Sequence, residues 1–386
     1  MTAPEPFQHP PVGAAERFST RVAFFIAGLC MAAWAPLVPL AKSRAALDDG
    51  TLGLLLLGLG AGSIASMPLA GHLASVRGCR WVMVLGALGI CLTLPLLATL
   101  SSLAALVPAI LLFGAAMGLL DCAMNIQSVL VEKASDRPLM SGFHGLFSVG
   151  GIAGAAGMTG LLSLGLEALP ATLCVVALTV ALLLWAGRHF LPYGSERDGP
   201  AFAVPHGVVL FLGALCFIVF MTEGAMLDWS AVFLVGERAM PPSWAGLGYA
   251  AFAAMMTAGR LTGDGIVSRL GGPKVVLFGG LLAALGLGIS LLPLGWPVAL
   301  LGYGLVGAGC ANIVPVLFTA VGRQTRMPQR VAIPAVISMG YAGILLGPAL
   351  IGFLAHLSNL LWALGVLIVL LAAVAASGRY LGCVRN

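Results

Sequence analysis

Residues 103–132 read LAALVPAILLFGAAMGLLDCAMNIQSVLVE, and no charged side chain occurs before Asp121. About 20 apolar residues in a helix span the hydrocarbon core of a bilayer. A membrane β-strand is shorter and alternates between polar and apolar residues, a pattern that this stretch lacks. The sequence therefore predicts a membrane-spanning helix here.

The same pattern recurs along the whole chain. Of its 386 residues, 60% are hydrophobic and only 9% are charged, whereas soluble domains carry about 25% charged residues. We predict an all-α membrane protein with twelve transmembrane helices in two pseudo-symmetric bundles of six. The predicted helices are 18–41, 51–75, 80–99, 103–132, 140–163, 169–190, 207–235, 243–268, 274–294, 297–322, 331–355 and 359–380.

The positive charges predict the orientation. Fifteen of the nineteen Lys and Arg residues fall on one side of this map, and only Lys42, Arg44 and Arg238 fall on the other. Because positive residues accumulate on the cytoplasmic side, we predict a bacterial inner-membrane protein with both termini in the cytoplasm. The predicted divisions are an N-terminal tail 1–17, a first bundle 18–190, a linker 191–206, a second bundle 207–380 and a C-terminal tail 381–386.

The two halves share residues in the same order, which predicts an internal repeat. Gly71 and Arg77 close the second helix as Gly263 and Arg269 close the eighth. Two parallel six-helix halves are a known transporter plan, with the solute site near the middle of the membrane between them. The further matches, at separations between about 187 and 193 residues, pair Asn125 with Asn312, and Ser148, Gly150 and Gly157 with Ser338, Gly340 and Gly347.

The connection between helices two and three resembles a family signature. It reads Gly71-His-Leu-Ala-Ser75-Val-Arg77-Gly78-Cys79-Arg80. This is similar to the Gly-x-Leu-Ala-Asp-Arg-x-Gly-Arg-Arg motif of the major facilitator superfamily, with Ser75 in place of the aspartate. The stretch Gly259-Arg260-Leu-Thr-Gly263-Asp264 resembles a degenerate second copy. The resemblance covers the whole chain and implies a transporter with gate residues at Gly71, Arg77, Gly78, Arg80, Arg260, Asp264 and Arg269.

Within that superfamily, four stretches resemble the MosC/YbjJ-like group near the fucose-permease branch. This resemblance implies a proton-coupled carrier of small sugars, polyols or cyclitols, with helices one, four, seven and ten around its cavity. The stretches are Trp34-Ala-Pro-Leu-Val-Pro39, Asp121-Cys-Ala-Met-Asn125, Ser141-Gly-Phe-His144-Gly and Glu223-Gly-Ala-Met-Leu-Asp228-Trp229-Ser230.

Few polar side chains lie inside the predicted helices. Because a charge at the centre of the bilayer costs at least about 2.5–3.5 kcal/mol, they should face a cavity or a partner. Glu223 and Asp121 are the proton-coupling candidates. The alternative for Glu223 is a structural hydrogen bond to a neighbouring helix, and the alternative for Asp121 is an ion pair or hydrogen bond at the cytoplasmic gate. Arg260 and Asp264 form an i,i+4 pair, which predicts a gate or packing role. The solute-cavity candidates, each with a structural alternative, are Trp34, Asn125, Trp229, Asn312, His144 and Asp228.

The sequence also bounds the function. No His/Cys cluster has zinc-site spacing, and no nucleotide-binding loop or catalytic constellation is visible. No basic patch is interleaved with aromatic residues as in nucleic-acid-binding proteins. We therefore expect no enzyme, no metal or other cofactor, no ATP-driven pump and no nucleic-acid partner.

Our first hypothesis is a monomer that couples uptake of a small polar solute to protons by alternating access. One alternative is a proton-driven exporter of amphipathic compounds or drugs, which Gly343-Ile-Leu-Leu-Gly347-Pro348 suggests by its likeness to an antiporter motif. The other is a membrane sensor or interaction protein without transport.

Overall fold

The computed structural model describes residues 12–195 and 204–382, and that part of the chain contains helices and no β-strand. Short 3-10 turns occupy Ala35–Leu37, Gly187–His189 and Pro242–Trp244. The α-helices are α1 Ala14–Ala33, α2 Val38–Arg44, α3 Asp49–Arg77, α4 Cys79–Thr99, α5 Leu103–Lys133, α6 Met140–Ser163, α7 Ala168–Ala186, α8 Gly207–Arg238, α9 Leu247–Leu270, α10 Gly272–Leu291, α11 Trp296–Cys310, α12 Ile313–Arg323, α13 Gln329–Leu357 and α14 Leu360–Leu381.

These helices make twelve spans, because α1 with α2 and α11 with α12 each form one crossing. By length and composition, eleven of the described spans are apolar enough to cross a membrane. The twelfth is α9, which carries Arg260, Asp264 and Arg269. The predicted all-α fold with twelve transmembrane helices is therefore confirmed.

Two spans are broken where the sequence predicted continuous helices. The first span is interrupted by the turn Ala35–Leu37, which contains Pro36, and the tenth is interrupted at Ala311 and Asn312. Pro315 follows this second break, and its ring has no N–H for the carbonyl of Ala311. The continuous helices 18–41 and 297–322 were therefore wrong at these points.

Each half packs its six spans in the same way. In the first half α1 packs against α6, α3 and α4 against α5, and α4 against α7. In the second half α8 packs against α13, α9 and α10 against α11, and α10 against α14. The halves meet where α3 contacts α13 and where α6 contacts α9. These packing contacts of one half thus have counterparts in the other.

Close helix contacts at glycines define the register of this repeat. A Cβ on Gly114 would overlap the backbone of Leu59, and a Cβ on Gly307 would overlap that of Phe252. Both residues of the second pair lie 193 positions after those of the first. The same separation relates the contact of Gly86 with Ala116 to that of Gly279 with Gly309.

This register corrects the predicted matches. Asn312 corresponds to Leu119 and not to Asn125, and Gly157 is not equivalent to Gly347. Gly347 packs on Met221 of α8, whereas no atom lies within 4 Å of a Cβ placed on Gly157. The match of Gly71 with Gly263 is wrong by one residue, because Gly71 corresponds to Asp264. The repeat was predicted correctly, but its register in these helices was not.

The first residues of the predicted linker are docked on the first half. The N–H of Leu191 donates to Oε1 of Gln127 at 2.9 Å, and the N–H of Cys79 donates to the carbonyl of Tyr193 at 3.1 Å. Leu191 is buried. The central part of the predicted linker, residues 196–203, lies outside the described residues.

Candidate functional site

An ion pair between a buried arginine and a partly buried glutamate lies on the two spans that open the second half. Nη2 of Arg260, on α9, is 3.7 Å from Oε2 of Glu223, on α8. The same guanidinium donates from Nη1 to Oγ of Ser148 at 3.0 Å. Ser148 is on α6, which belongs to the first half. Arg260 therefore joins the proton-coupling candidate Glu223 to the opposite bundle.

The structure corrects the predicted pairing of Arg260 with Asp264. Asp264 instead accepts a hydrogen bond at Oδ1 from the N–H of Gly142, at 3.0 Å. Gly142 lies in the first turn of α6, where backbone N–H groups have no partner within the helix and the helix dipole favours a negative charge. The two residues therefore have separate partners, and both hold α9 against α6.

His144 lies beside this ion pair. Its ring packs against Phe24 of α1 at a centroid distance of 5.1 Å and against Phe318 of α12 at 5.7 Å. Its Nε2 atom is buried and has no hydrogen-bond partner. His144 therefore presents a polar atom, without a protein partner, close to the contact between the halves.

The second proton-coupling candidate, Asp121, is apart from the Glu223 pair. Asp121 is buried on α5, where Nδ2 of Asn125 donates to its carbonyl at 2.9 Å and approaches Oδ1 at 3.4 Å. Tyr341, on α13, lies near enough to interact electrostatically with the carboxyl group of Asp121. The predicted neighbours Asp121 and Asn125 are thus brought together, while Oδ1 of Asn125 stays unpartnered.

The remaining cavity candidates differ in how firmly they are held. Trp229 donates from Nε1 to the carbonyl of Pro348 at 3.0 Å, which fixes it to α13 of its own half. Trp34 is buried at the break in the first span, and its Nε1 has no partner. Asn312 donates from Nδ2 to the carbonyl of Gly259 at 3.0 Å, and its Oδ1 has no partner. Asp228 is exposed.

One of the predicted gate glycines lies at a close contact between helices, and the other lies at a turn of the chain. A Cβ on Gly71 would overlap the carbonyl of Arg330 and the ring of Pro334, both on α13 of the other half. Gly78 has a φ of +86° and ends α3, a conformation that residues with a Cβ rarely adopt. Gly71 thus lets the halves approach, and Gly78 turns the chain into α4.

The predicted gate arginines lie at the same end of the bundles. Arg80 donates from Nε to the carbonyl of Phe190 at 2.9 Å and from Nη2 to that of Arg188 at 2.6 Å. Arg77 lies over the ring of Trp81, 5.1 Å from its centroid. Arg269 is exposed in the last turn of α9. Arg80 therefore anchors the chain after α7, and neither Arg77 nor Arg269 has a described contact with the other half.

Sequence reasoning missed one contact between the halves. Glu132, at the end of α5, is buried and accepts hydrogen bonds at Oε2 from the N–H groups of Leu139 and Met140, both at 2.8 Å. Its Oε1 accepts from the hydroxyl of Thr319, on α12 of the other half. In the sequence Glu132 precedes Lys133 at a helix end, a pattern typical of a solvated terminus.

The described residues contain no group of three or more His, Cys, Asp or Glu side chains that could hold a metal ion. The seven described cysteines are free thiols, and most of them are buried. The site therefore contains groups that can bind a proton, one guanidinium group, and hydrogen-bonding atoms without a protein partner. These groups can hold a proton and a polar solute.

Comparisons with known proteins agree with this architecture. Residues 21–333 match the Major Facilitator Superfamily. The chain is 55% identical over 368 residues to an uncharacterized MFS-type transporter of Yersinia pestis, covering 95% of this chain and 96% of the relative. It is 33% identical over 343 residues to the membrane protein MosC of Rhizobium meliloti, covering 86% and 82% of the two chains.

The fold also has solved neighbours. The structure of the E. coli fucose:proton symporter FucP is similar with a TM-score of 0.76 and 17% identity, covering 95% of this chain and 98% of that chain. The predicted resemblance to the MosC group, with a fucose permease as a structural neighbour, is confirmed. Members of this family are transporters and not enzymes. The chain therefore belongs to the major facilitator superfamily of multi-pass membrane transporters.

Proposed function

We propose that this chain is a proton-coupled symporter that imports a small, neutral, hydroxylated solute of the sugar, polyol or cyclitol class. The observation that carries the proposal is the ion pair between the partly buried Glu223 and the buried Arg260, whose guanidinium reaches Ser148 on the opposite bundle. A protonatable group that is paired with a side chain bonded to the opposite bundle can couple its charge to the relative position of the two bundles. The name of FucP, a fucose:proton symporter, agrees with this assignment.

Protonation of Glu223 changes the balance of forces at Arg260. While Glu223 is ionised, the two charges compensate each other inside the protein. A protonated Glu223 leaves Arg260 as a buried charge without a counter-charge, which costs several kcal/mol unless new partners form. Arg260 then needs hydrogen-bond acceptors, and a hydroxyl oxygen of the solute is one. Proton binding and solute binding thus favour each other.

The pair has no equivalent on the other side of the repeat. In the 193-residue register, Arg260 corresponds to Met67 and Ser148 to Tyr341. Instead of an ion pair, Met67 accepts at Sδ a hydrogen bond of 3.4 Å from Oγ of Ser338. The contact between α3 and α13 therefore has no ion pair at this position, and we assign the proton-dependent change to α6, α8 and α9. Asp121 is the second proton candidate, on α5.

The unpartnered polar atoms favour a hydroxylated solute. Nε1 of Trp34, Oδ1 of Asn125 and Oδ1 of Asn312 are buried without partners, and such atoms are rare in folded proteins. They include one donor and two acceptors, and a hydroxyl group can serve both kinds. The proton-coupling and solute-cavity candidates include three carboxyl groups, on Asp121, Glu223 and Asp228, and Arg260 adds one guanidinium. This balance argues against an anionic solute.

We propose further that two bundles, 18–190 and 207–380, rock about this site in a monomer of the bacterial inner membrane. The linker 191–206 and the tails 1–17 and 381–386 would be cytoplasmic. The uneven distribution of Lys and Arg supports this orientation. A C-terminal fusion to green fluorescent protein should fluoresce, and one to alkaline phosphatase should be inactive, whereas the reverse result would contradict the orientation.

The exporter alternative has less support. It depends on Gly343 and Gly347 before Pro348, and a Cβ on Gly343 would overlap the backbone of Phe217 on α8. Gly150 and Gly154 make the corresponding contacts with α1 in the first half. The motif is therefore part of the packing that both halves share.

The test uses purified protein in proteoliposomes. A thermal-shift screen with L-fucose, myo-inositol and other sugars and polyols first finds a solute that raises the melting temperature, because ligands stabilise the state that they bind. We expect a pH step to drive accumulation of that solute by the wild type. Glu223→Gln should retain solute exchange without a gradient but lose accumulation. If Glu223→Gln and Asp121→Asn both still accumulate the solute, proton coupling by these residues is wrong.

A further inference from the structure

A groove of about 480 Å³ lies on the outer surface of the first half, at the predicted cytoplasmic end of α3 and α4. Arg77 and Arg80 form the charged rim of the groove. Its wall is lined by Trp81, Val84, Leu85 and Leu88, and Pro192 lies beside them. No Asp or Glu is among these residues. The groove is separate from the Glu223 site and from the contact between the halves.

The groups that hold the two arginines in place carry no negative charge. Arg77 lies over the Trp81 ring at 5.1 Å. Arg80 uses Nε and Nη2 on backbone carbonyls, which fixes its guanidinium plane and leaves Nη1 for another acceptor. Guanidinium groups bind phosphate oxygens well because their donors match the geometry of the anion.

The wall below the arginines is apolar and faces outward. Leu85 and Leu88 are 40% and 50% exposed, and Leu88 lies eight residues beyond Arg80. At 1.5 Å per residue, the wall extends about 12 Å along α4 from the charged rim. Trp81 lies between the two parts, and tryptophan is the residue that favours the level of lipid headgroups.

We propose that this groove binds an anionic phospholipid of the cytoplasmic leaflet. Its phosphate would lie between Arg77 and Arg80, and one acyl chain would lie along Leu85 and Leu88. A soluble anion would leave the apolar wall unused, and a zwitterionic lipid would carry its own positive charge toward the arginines. The groove has paired cations and an apolar wall. A single molecule is complementary to both only when it has a negative headgroup and an acyl chain.

The second half offers a matched control. In the 193-residue register, Arg80 and Trp81 correspond to Pro273 and Lys274. Arg269 and Lys274 are exposed at the same predicted membrane face, but no tryptophan or arginine pair accompanies them there. The double variant Arg269→Gln/Lys274→Gln therefore removes the same charge as Arg77→Gln/Arg80→Gln without altering the groove.

The test is native mass spectrometry of the full-length protein with phosphatidylglycerol, and with phosphatidylethanolamine as the comparison lipid. Each basic residue near a membrane surface contributes about 1 kcal/mol to binding anionic lipid. We expect Arg77→Gln/Arg80→Gln to bind phosphatidylglycerol at least about tenfold more weakly, and the control pair to bind it as the wild type does. Equal losses in both pairs, or equal binding of the two lipids by the wild type, would overturn the proposal.

A second measurement keeps the test valid if the loss of Arg80 disturbs folding. Arg77→Gln alone should weaken binding severalfold, because Arg77 contacts only the exposed Trp81 ring. In the wild type, brominated phosphatidylglycerol should quench tryptophan fluorescence more strongly than brominated phosphatidylcholine does. In Trp81→Phe this additional quenching should be lost. Identical quenching in Trp81→Phe would count against the groove. Neither readout requires a transported solute, so its result is independent of the proposed transport function.

Discussion

At the scale of single residues, Arg260 shows what spacing can and cannot predict. Its place inside a span was evident from the sequence, and so was its need for a partner. The spacing of four residues to Asp264 predicted the wrong one. Glu223 is the partner because α8 packs against α9, and that contact depends on the whole bundle. Partners within a helix can be read from spacing, but partners across helices depend on packing.

Arg260→Gln should destabilise the protein strongly. Removing one member of a buried ion pair leaves the other charge without compensation, which costs about 3–5 kcal/mol. The double variant Glu223→Gln/Arg260→Gln should recover much of the loss, because no charge is then left unpaired. The measurement is the melting temperature of the purified protein in detergent. A double variant that melts lower than either single variant would show that the two side chains do not act as a pair.

At the scale of helices, the packing of α6 against α1 depends on small residues. A Cβ on Gly150 or Gly154 would overlap the backbone of α1, at Phe25 and Leu29 respectively. Helices in lipid associate through close contact of their backbones and not through a hydrophobic force. Gly160, on the same helix, has no atom within 4 Å of an added Cβ. The same residue type thus has a packing role at one position and none at the other.

Gly154→Ala and Gly160→Ala should therefore have opposite effects. The first forces α6 away from Leu29, and overpacking costs about 1–3 kcal/mol. The second should be neutral or slightly stabilising, because alanine favours the helix by up to about 1 kcal/mol over glycine. Thermal unfolding in the same detergent compares the two variants directly. Equal melting temperatures would contradict the close contact between α1 and α6.

The helices themselves were largely predictable, whereas their breaks were not. The sequence predicted twelve crossings, eleven of which are apolar enough by length and composition. The observed ends agree with the predicted ones to within a few residues for most spans. Proline marks both breaks, at Pro36 and Pro315, but α3 and α5 continue through Pro68 and Pro108. Because neighbouring helices can satisfy the backbone groups that a proline frees, the residue alone does not decide whether a span is broken.

At the scale of the whole molecule, the contact of α3 with α13 and that of α6 with α9 are related by the repeat but differ in chemistry. Gly71 brings α3 against the backbone of α13, and its counterpart Asp264 accepts a hydrogen bond from the first turn of α6. Glu132 adds its contact with Thr319 at the same end. The sequence predicted a gate role for Gly71 and Asp264 but not for Glu132. It could not predict this division of roles, because the register of the repeat was uncertain by several residues.

The variant Asp264→Asn should open the predicted cytoplasmic side more often. A charge at a helix N-terminus contributes up to about 1 kcal/mol, so its loss should raise the open population about fivefold. Cys310, which is buried near Glu223 and Arg260, is a native reporter when the other cysteines are replaced. We expect faster labelling of Cys310 by an impermeant maleimide in inside-out vesicles.

The control for this experiment is Asp136→Asn, because Asp136 is exposed at the same end of the bundles. It should label like the wild type. Equal labelling rates for Asp264→Asn and Asp136→Asn would exclude a gate role for Asp264.

The partners of Glu132 and Asp264 have one more consequence. Both carboxylates accept hydrogen bonds from backbone amides or a hydroxyl, whose dipoles are fixed by the chain that carries them. Dissolved ions weaken attraction between exposed charges but act much less on buried partners. These two contacts should accordingly keep nearly the same strength when the ionic strength of the surrounding solution changes.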